Sequence, residues 1–356
     1  MKRESIIVLI VFISILWAEF SESQLITHKL DITGWDKINI EKLTPEIAKD
    51  YWSNNAGNAQ LMGGSFLIYN KYDNKIYCTD GFNQRIVVFD EDLNFVCEFG
   101  KFGQGPGEIN GPIGIAFNRD GRYVIANMNN RRLDIFNKND NFLYSINLLN
   151  TDLMVYPRTD DKGRIYYSSL PDSCLISISN FDNNYRGKIG KPTNIGFDGY
   201  GFELENMIYF QVDNKGDIYC SFRHLPFIRK YDSSWKLVYE YDYSNIPGIK
   251  EIIIEHKKKN PEHLKTSWSA KCLCTGFDVD DRYIYIFFGY EGAISNRYYH
   301  NNEKCFYVLD KDNLNLVKKL AFYIEGKKVS FHGYDFTSDE FIYVINSPRT
   351  LCKYKK

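Results

Sequence analysis

The chain has 356 residues, with 44 Lys and Arg against 45 Asp and Glu, which gives a formal net charge of −1 at pH 7. A charge this balanced provides no global field to attract nucleic acid or an anionic membrane, so neither is expected as a partner. Aromatic residues make up 16% of the chain, and large flat side chains are typical of stacked β-sheets.

The first 23 residues have the three-part pattern of a secretory signal. Lys2 and Arg3 precede the apolar run Ile6–Trp17, and small residues stand at Ser21 and Ser23. The alternative, an uncleaved membrane anchor, normally needs about 20 apolar residues, more than this run contains. We therefore expect cleavage after Ser23 and no integral membrane segment afterwards. The protein is expected to be exported, whether periplasmic, at the cell surface or secreted. The absence of an Asn-x-Ser/Thr site favours a bacterial envelope.

Two short elements are predicted in the segment that follows the signal. Residues 25–33 alternate apolar and polar side chains well enough to form a strand. The sequence TPE at 44–46 is typical of a helix start, because Thr caps the helix, Pro fits its first turn and Glu suits its positive end. It predicts a short helix that ends near Tyr51.

Residues 99–142 contain one complete structural unit. A loop rich in Gly and Pro, GQGPGE, leads into the apolar strand Ile113–Phe117, and an Asp-Gly turn then leads into the strand Tyr123–Ala126. Two more strands follow, Leu133–Phe136 and one that begins at Phe142. Four short antiparallel strands in about 45 residues form one blade of a β-propeller.

The second strand of this unit recurs along the chain, as it must, because a single blade cannot bury both of its faces. Six segments share a polar turn followed by an apolar strand: DNKIYC (73–78), DGRYVI (120–125), KGRIYY (162–167), KGDIYC (215–220), DRYIYI (281–286) and DEFIYV (339–344). Six such anchors predict six blades.

The predicted fold is all-β: one domain, residues 24–356, forming a six-bladed β-propeller of four-stranded antiparallel blades. The sequence ends after the third strand of blade six, which would leave an exposed edge. We expect residues 25–33 to supply the missing strand and close the ring. The blades are expected near residues 61–100, 113–148, 153–189, 207–243, 274–323, and 329–356 together with 25–33.

The first two blades carry a recognisable signature. Blade two has P-x-G at 112–114, DG at 120–121 and N-R-x-L-x-I-F at 130–136, and blade one has Asp80 with N-x-R-I-x-V-F at 83–89. These motifs resemble the NHL repeat, and the GQGPGE loop is similar to that of exported bacterial six-bladed propellers related to NHL proteins. The resemblance is specific only in these two blades, so it implies the fold and not a shared ligand.

Long insertions predict which face of the propeller binds a ligand. Connections between blades, and loops between the second and third strands of a blade, lie on one face, which we call the long-loop face. The insertions fall in these two classes, at 100–112, 190–206, 244–271 and 289–303. Binding residues concentrate on long loops held by a rigid frame. We expect a monomeric binding or scaffolding module for a protein, peptide or carbohydrate. Its candidate contact residues are Tyr200, Phe202, His256, Tyr298, Tyr299 and His300.

No motif predicts a catalytic residue, metal or cofactor. The Gly-rich loop lacks the order and the following helix of a nucleotide site, and the histidines form neither H-x-x-x-H nor H-E-x-x-H. His224, His300 and His332 come from three different blades, so an axial metal in a propeller hydrolase or lyase is the alternative function. We favour the interpretation that these histidines bind no metal, because no motif places a carboxylate partner beside them.

In an exported protein, the eight cysteines of the chain could form disulfides or remain as buried thiols. Cys78 and Cys220 occupy equivalent positions in blades one and four, on opposite sides of the ring, so they cannot form a disulfide with each other. Cys305 could pair with Cys272 or Cys274 within blade five. Buried thiols are favoured, because unpaired cysteine is commonly buried.

Overall fold

The structure is a computed structural model. It describes residues 27–53, 57–58, 60–62, 64–148, 155–168, 174–193, 205–247, 249–251, 272–288, 305–329, 331–346 and 350–356. The predicted all-β fold of six four-stranded antiparallel blades in a ring is confirmed. The signal segment 1–23 lies outside the described residues.

The strands follow the blades in chain order, after three strands near the N-terminus. Those three are β1 (Thr27–Lys29), β2 (Ile40–Leu43) and β3 (Ile47–Asp50). Blade one has β4 (Gly64–Asn70), β5 (Lys75–Asp80), β6 (Arg85–Phe89) and β7 (Phe95–Phe99). Blade two has β8 (Pro112–Phe117), β9 (Tyr123–Asn127), β10 (Arg132–Phe136) and β11 (Phe142–Asn147). Blade three has β12 (Arg158–Thr159), β13 (Arg164–Ser168), β14 (Ile176–Asn180) and β15 (Gly187–Ile189).

The remaining blades have the same plan with additions at their outer edges. Blade four has β16 (Ile208–Val212), β17 (Ile218–Phe222), β18 (Phe227–Tyr231) and β19 (Leu237–Asp242). Blade five has β20 (Cys274–Val279), β21 (Tyr283–Phe288), β22 (Phe306–Asp310) and β23 (Leu316–Ile324), with the two-residue β24 (Lys327–Lys328) folded back on β23. Blade six has β25 (Phe331–Asp335), β26 (Phe341–Asn346) and β27 (Thr350–Lys355).

The core lies between neighbouring blades. Six clusters of buried apolar side chains are present among the described residues, one at each interface between adjacent blades. The middle strands are covered on both faces, so β9 is buried at every position, whereas the outer strand β7 is mostly exposed. This explains why the second strands are continuous apolar runs and serve as anchors in the sequence.

Closure of the ring by an N-terminal strand is confirmed, but the strand is β3 and not residues 25–33. In blade six, β3 pairs antiparallel with β27 and supplies the fourth strand. Within 25–33, β1 instead adds a fifth, parallel strand to β19 of blade four. The helix predicted from Thr44 to Tyr51 is therefore wrong, because pairing with an open strand edge outweighs the local helix-start signal.

The N-terminal strands form a belt around half of the ring. β1 lies on the outer edge of blade four, β2 pairs parallel with β23 on blade five, and β3 completes blade six. Leu30 and Trp35 between the strands are buried in the cluster of blades four and five. This belt connects three consecutive blades before the chain enters blade one.

Arg132, which lies within the NHL-like segment of blade two, holds the connection between blades one and two. Arg132 of β10 forms an ion pair with Asp134 at 2.8 Å and donates to the backbone carbonyls of Gln104 at 3.0 Å and Glu108 at 3.2 Å. The loop also closes on itself, because the Glu108 carboxylate accepts from the Gly105 N–H at 2.9 Å. A Cβ at Gly103 would stand 2.0 Å from Glu108 Oε2, so a larger residue there would displace the Glu108 carboxylate.

All eight cysteines carry thiols, so the disulfide considered for blade five is not formed. Cys78 and Cys220 are completely buried, in the interface of blades six and one and that of blades three and four respectively. Burial raises the pKa of Cys220 to about 12 and that of Cys78 further. Within the described part of the chain, no helix has the length and apolar character needed to cross a membrane.

Candidate functional site

The first strands of the six blades surround a central cavity of about 660 Å³. Because successive blades present the same strand to the axis, equivalent positions form rings around the channel. One ring lies opposite the fifth residue of each six-residue sequence anchor, which is Tyr in five blades and Val124 in blade two. Its members are Ile68, Ala116, Arg158, Gln211, Asp278 and Asp335.

This ring has an apolar part and a polar part. Blades one and two contribute Ile68 and Ala116, whereas the next four blades contribute one cation, one amide and two carboxyl groups. Arg158 donates through Nε to Oε1 of Gln211 at 2.6 Å, and the Gln211 amide in turn donates to Asp278 Oδ1. A hydrogen-bonded chain therefore runs across blades three, four and five along one side of the channel.

The two carboxyl groups are buried and also bind backbone. Asp278 is 2% exposed and Asp335 is 5% exposed. Asp278 accepts from the backbone N–H of Phe336 at 2.8 Å, and Asp335 accepts from that of Tyr69 at 3.0 Å. Each carboxyl group thus reaches the inner strand of the next blade, which gives it a structural role besides any chemical one.

Burial decides the protonation of this pair. Burial, together with the nearby Asp335 carboxylate, raises the pKa of Asp278 to about 7, against the lowering effect of Arg158. Burial likewise raises the pKa of Asp335 and lowers that of Arg158. Near neutral pH the pair shares its negative charge, so the cavity offers a donor as well as an acceptor on the same side.

Short loops cross the channel at one end, the short-loop face, where first and second strands are joined. Lys71 of blade one donates to Asn214 Oδ1 of blade four at 2.7 Å, although these blades stand on opposite sides of the ring. The Asn214 amide donates to Asp281 of blade five at 2.7 Å, and Tyr72 donates to Asp161 of blade three. These contacts form a bridge over the mouth of the channel.

Aromatic side chains line the other end, toward the long-loop face. The rings of Phe66 and Tyr156 are 4.5 Å apart, and Tyr156 stacks with Tyr209 at 6.3 Å. The contact between Phe66 and Tyr156 joins blades one and three. Blade two, which stands between them, has Gly114 at this level, and a Cβ on Gly114 would lie 3.7 Å from Tyr156. The guanidinium of Arg223 lies 5.3 Å from the Tyr209 ring centre. Aromatic faces beside a cation can bind sugars and peptides by stacking and by hydrogen bonds.

The six contact residues predicted from the sequence, Tyr200, Phe202, His256, Tyr298, Tyr299 and His300, lie outside the described residues, so they stay a prediction. Of the three histidines considered for an axial metal, only the side chain of His224 is described. It lies beside Cys272. In the described ranges, no group of three or more His, Cys, Asp or Glu side chains could hold a metal ion.

The polar ring was missed by sequence reasoning, although a signal for it exists. Arg158, Gln211, Asp278 and Asp335 precede the tyrosines of their anchors by seven or eight residues, as the strand register shows. Extending the repeat alignment back from the anchor tyrosines would have placed them at one level of the channel. These four polar residues would then differ from the apolar Ile68 and Ala116 at the equivalent positions of blades one and two.

Comparison with known proteins supports the fold. No family model matches the sequence, and no curated protein is similar to it at a significant level. Among solved structures, a member of the DUF4221 family from Bacteroides vulgatus has a TM-score of 0.57 at 13% identity, over 88% of this chain and 97% of that one. A protein from Bacteroides fragilis whose name describes it as exported has a TM-score of 0.51 at 14% identity, over 86% and 88%.

An enzyme has the same architecture. A catalytically inactive variant of virginiamycin B lyase from Staphylococcus aureus, solved with quinupristin, has a TM-score of 0.53 at 10% identity, covering 87% of this chain and 99% of that one. At these identities the likeness establishes the propeller fold alone, because one fold can carry many functions.

Proposed function

We propose that this protein is an exported binding module, which holds a protein, peptide or carbohydrate ligand on its long-loop face over the aromatic end of the channel. The observation that carries the proposal is the cluster of Tyr156, Tyr209 and Arg223 at that end. The opposite mouth is crossed by the Lys71 bridge. Access for a large ligand is therefore better from the long-loop face.

The sequence supports the same face independently. The insertions at 190–206, 244–271 and 289–303 all belong to the two classes of connection that we expect on the long-loop face. They bring Tyr200, Phe202, His256, Tyr298, Tyr299 and His300, which are side chains suited to stacking and hydrogen bonding. Insertions of this length are uncommon in compact domains unless they are used. The signal-like first 23 residues, together with the similarity to a protein described as exported, support an extracytoplasmic site of action.

The proposal is tested by screening the purified protein against a glycan array and a displayed peptide library. A ligand found in either screen is then measured against a variant with Tyr298, Tyr299 and His300 replaced by Ala. The matched control replaces Asp339 and Glu340, two exposed residues of the short-loop face, by Ala. We expect affinity to fall at least tenfold in the first variant and to remain unchanged in the control. Loss only in the control, or no binding to either class of probe, would contradict the proposal.

A further inference from the structure

Cys272 lies in a cluster of side chains that none of the preceding functions uses. It stands at the end of the connection into blade five, just before β20, and is partly buried. The turn between β17 and β18 of blade four brings two basic side chains to it. Arg223 donates through its terminal nitrogen toward Cys272 Sγ at 3.8 Å, and Nε2 of His224 is 4.0 Å from the same sulfur.

The environment of this thiol differs from that of the other cysteines. Burial raises the pKa of Cys78, Cys220, Cys274 and Cys352. Cys97, on the outer strand β7, is exposed, but burial of part of its side chain still raises its pKa. Cys272 combines partial access to solvent with a guanidinium at hydrogen-bonding distance. A cation beside sulfur favours the thiolate, which is the nucleophilic form of cysteine.

Three other ionisable groups of the described residues that interact with Cys272 are neutral near pH 7. Tyr209 and Tyr243 interact with it from blade four, and burial raises the pKa of both hydroxyls, so they remain neutral near pH 7. On its own strand, burial raises the pKa of Cys274 to about 12, so that thiol is also neutral. Arg223 is always charged, and His224 adds a second cation when it is protonated. Among the described residues, the charged side chain at hydrogen-bonding distance from the sulfur is therefore a cation.

We propose that Cys272 is a reactive thiol that exchanges with low-molecular-weight disulfides at the long-loop end of the channel. The Cys272 thiol loses its proton to solvent, and the thiolate attacks one sulfur of the disulfide R–S–S–R. A mixed disulfide forms between Cys272 and one R–S group, and the other leaves as a thiolate that takes up a proton. The disulfide is the only co-reactant, and it is reduced by the same two electrons that oxidise the cysteine. The modified sulfur would carry its new group next to the proposed ligand site.

Thiol reactivity is measured first by alkylation. The folded protein is treated with iodoacetamide between pH 5.5 and 9.5, and the rate at each cysteine is read by peptide mass spectrometry. Cys97 is the internal control, because it is exposed and no cation of the described residues is hydrogen-bonded to it. At pH 6.5 we expect Cys272 to react at least tenfold faster than Cys97, with its profile moved by at least one unit to lower pH. Equal rates, or a slower rate at Cys272, would overturn the proposal.

Variants then separate the electrostatic effect from loss of structure. Arg223→Gln should slow alkylation of Cys272 at pH 6.5 about tenfold, while Arg223→Lys, which keeps the charge, should retain most of the rate. If both variants react like the wild-type protein, the guanidinium has no role and the proposal fails. Thermal melting identifies a variant that has lost its fold. If an Arg223 variant does not fold, His224→Gln is tested in its place, because His224 also lies beside Cys272 Sγ.

Exchange itself is tested with oxidised glutathione and with cystine as probes. We expect one adduct per chain, located on Cys272, removed by dithiothreitol and absent from Cys272→Ser. An adduct on Cys97 in place of Cys272, or none at all, would overturn the exchange reaction. Because these assays need no ligand, they can succeed or fail independently of the proposed binding function.

Discussion

The carboxylate of Asp335 in blade six accepts a hydrogen bond from the backbone N–H of Tyr69 in blade one, at 3.0 Å. The contact joins the last blade of the ring to the first, on the wall of the channel. One blade earlier, Asp278 makes the equivalent contact with Phe336 at 2.8 Å. The two buried carboxyl groups of the candidate site are thus also the polar connections between the inner strands of blades five, six and one.

Asp278 should make the stability of the protein depend on pH. Its pKa is about 7 in the folded chain, while an ordinary value near 4 applies after unfolding. Between these values the unfolded state binds fewer protons, so the free energy of unfolding falls as pH rises from about 4 to about 7. From pH 5 to pH 7.5 this loss amounts to about 2–3 kcal/mol.

The measurement is urea unfolding of wild type and Asp278→Asn at pH 5 and pH 7.5. The variant should lose about 2–3 kcal/mol less than the wild type over this interval. Asp312→Asn, in an exposed turn of blade five, is the control and should keep the wild-type dependence. An unchanged dependence in Asp278→Asn would show that the carboxyl group is ionised throughout.

Arg158 should be important for stability because its charge offsets two carboxyl groups. Arg158→Met removes the donor to Gln211 and leaves the acidic pair without its cation, which we expect to cost about 3–5 kcal/mol. The cost should be larger at pH 8 than at pH 5, since the pair carries more negative charge at pH 8. The same substitution at exposed Arg119 should change the free energy of unfolding by less than about 0.5 kcal/mol. Equal effects at the two positions would contradict this role.

Ring closure should depend on β3 far more than on β1. Replacing Ile47–Asp50 by Gly-Ser-Gly-Ser removes the fourth strand of blade six, whereas replacing Thr27–Lys29 by Gly-Ser-Gly removes only an exposed fifth strand of blade four. We expect the first variant to lower the melting temperature at least twice as much as the second. Calorimetry of the two proteins provides the comparison, and a larger effect at β1 would refute the assignment.

Arg132 should hold the GQGPGE loop through the shape of its side chain as well as its charge. Lys cannot contact Asp134, Gln104 and Glu108 at once, because it lacks the planar fork of Arg. Arg132→Lys should therefore cost about 1–2 kcal/mol and increase amide hydrogen exchange in residues 103–108. Arg131→Lys, at the exposed neighbouring position, is the control. Exchange in the loop that is equal in both variants would exclude this role.

Cys78 and Cys220 should remain reduced and inaccessible in the folded protein. Both are completely buried, on opposite sides of the ring. An alkylating agent should label neither under native conditions and both after denaturation without a reductant. A disulfide at either residue would mean that the blade assignment is incorrect.

The sequence was sufficient for the fold because its repeated element is also its most buried one. Anchors such as KIYC and KGDIYC are second strands packed on both faces, so their apolar character does not depend on distant context. β3 could not be recognised in this way. It has only four residues, and its partner β27 is 300 residues away, from Asp50 to Thr350. A helix-start motif next to it gave a stronger local signal than the strand itself.

The candidate site was less predictable, for a different reason. Single residues such as Gln211 or Asp278 have no motif around them, and their relation appears only when six inner strands are placed around one axis. Cys272, Arg223 and His224 likewise come together from two blades. Spacing along the chain does not encode such contacts. Only the register of each repeat relates these side chains to one another.

The belt of β1, β2 and β3 also determines when the protein can finish folding. These strands are synthesised first, yet the partner of Thr27 is Glu240 and that of Ile40 is Lys319. Nearly the whole chain must therefore emerge before its beginning has a place to pair, and contacts between such distant residues form slowly. Until then the N-terminal strands have free edges that another chain could occupy. A second molecule in the same state offers identical partners, so we expect misfolding of this protein to proceed by exchange of the belt between two chains.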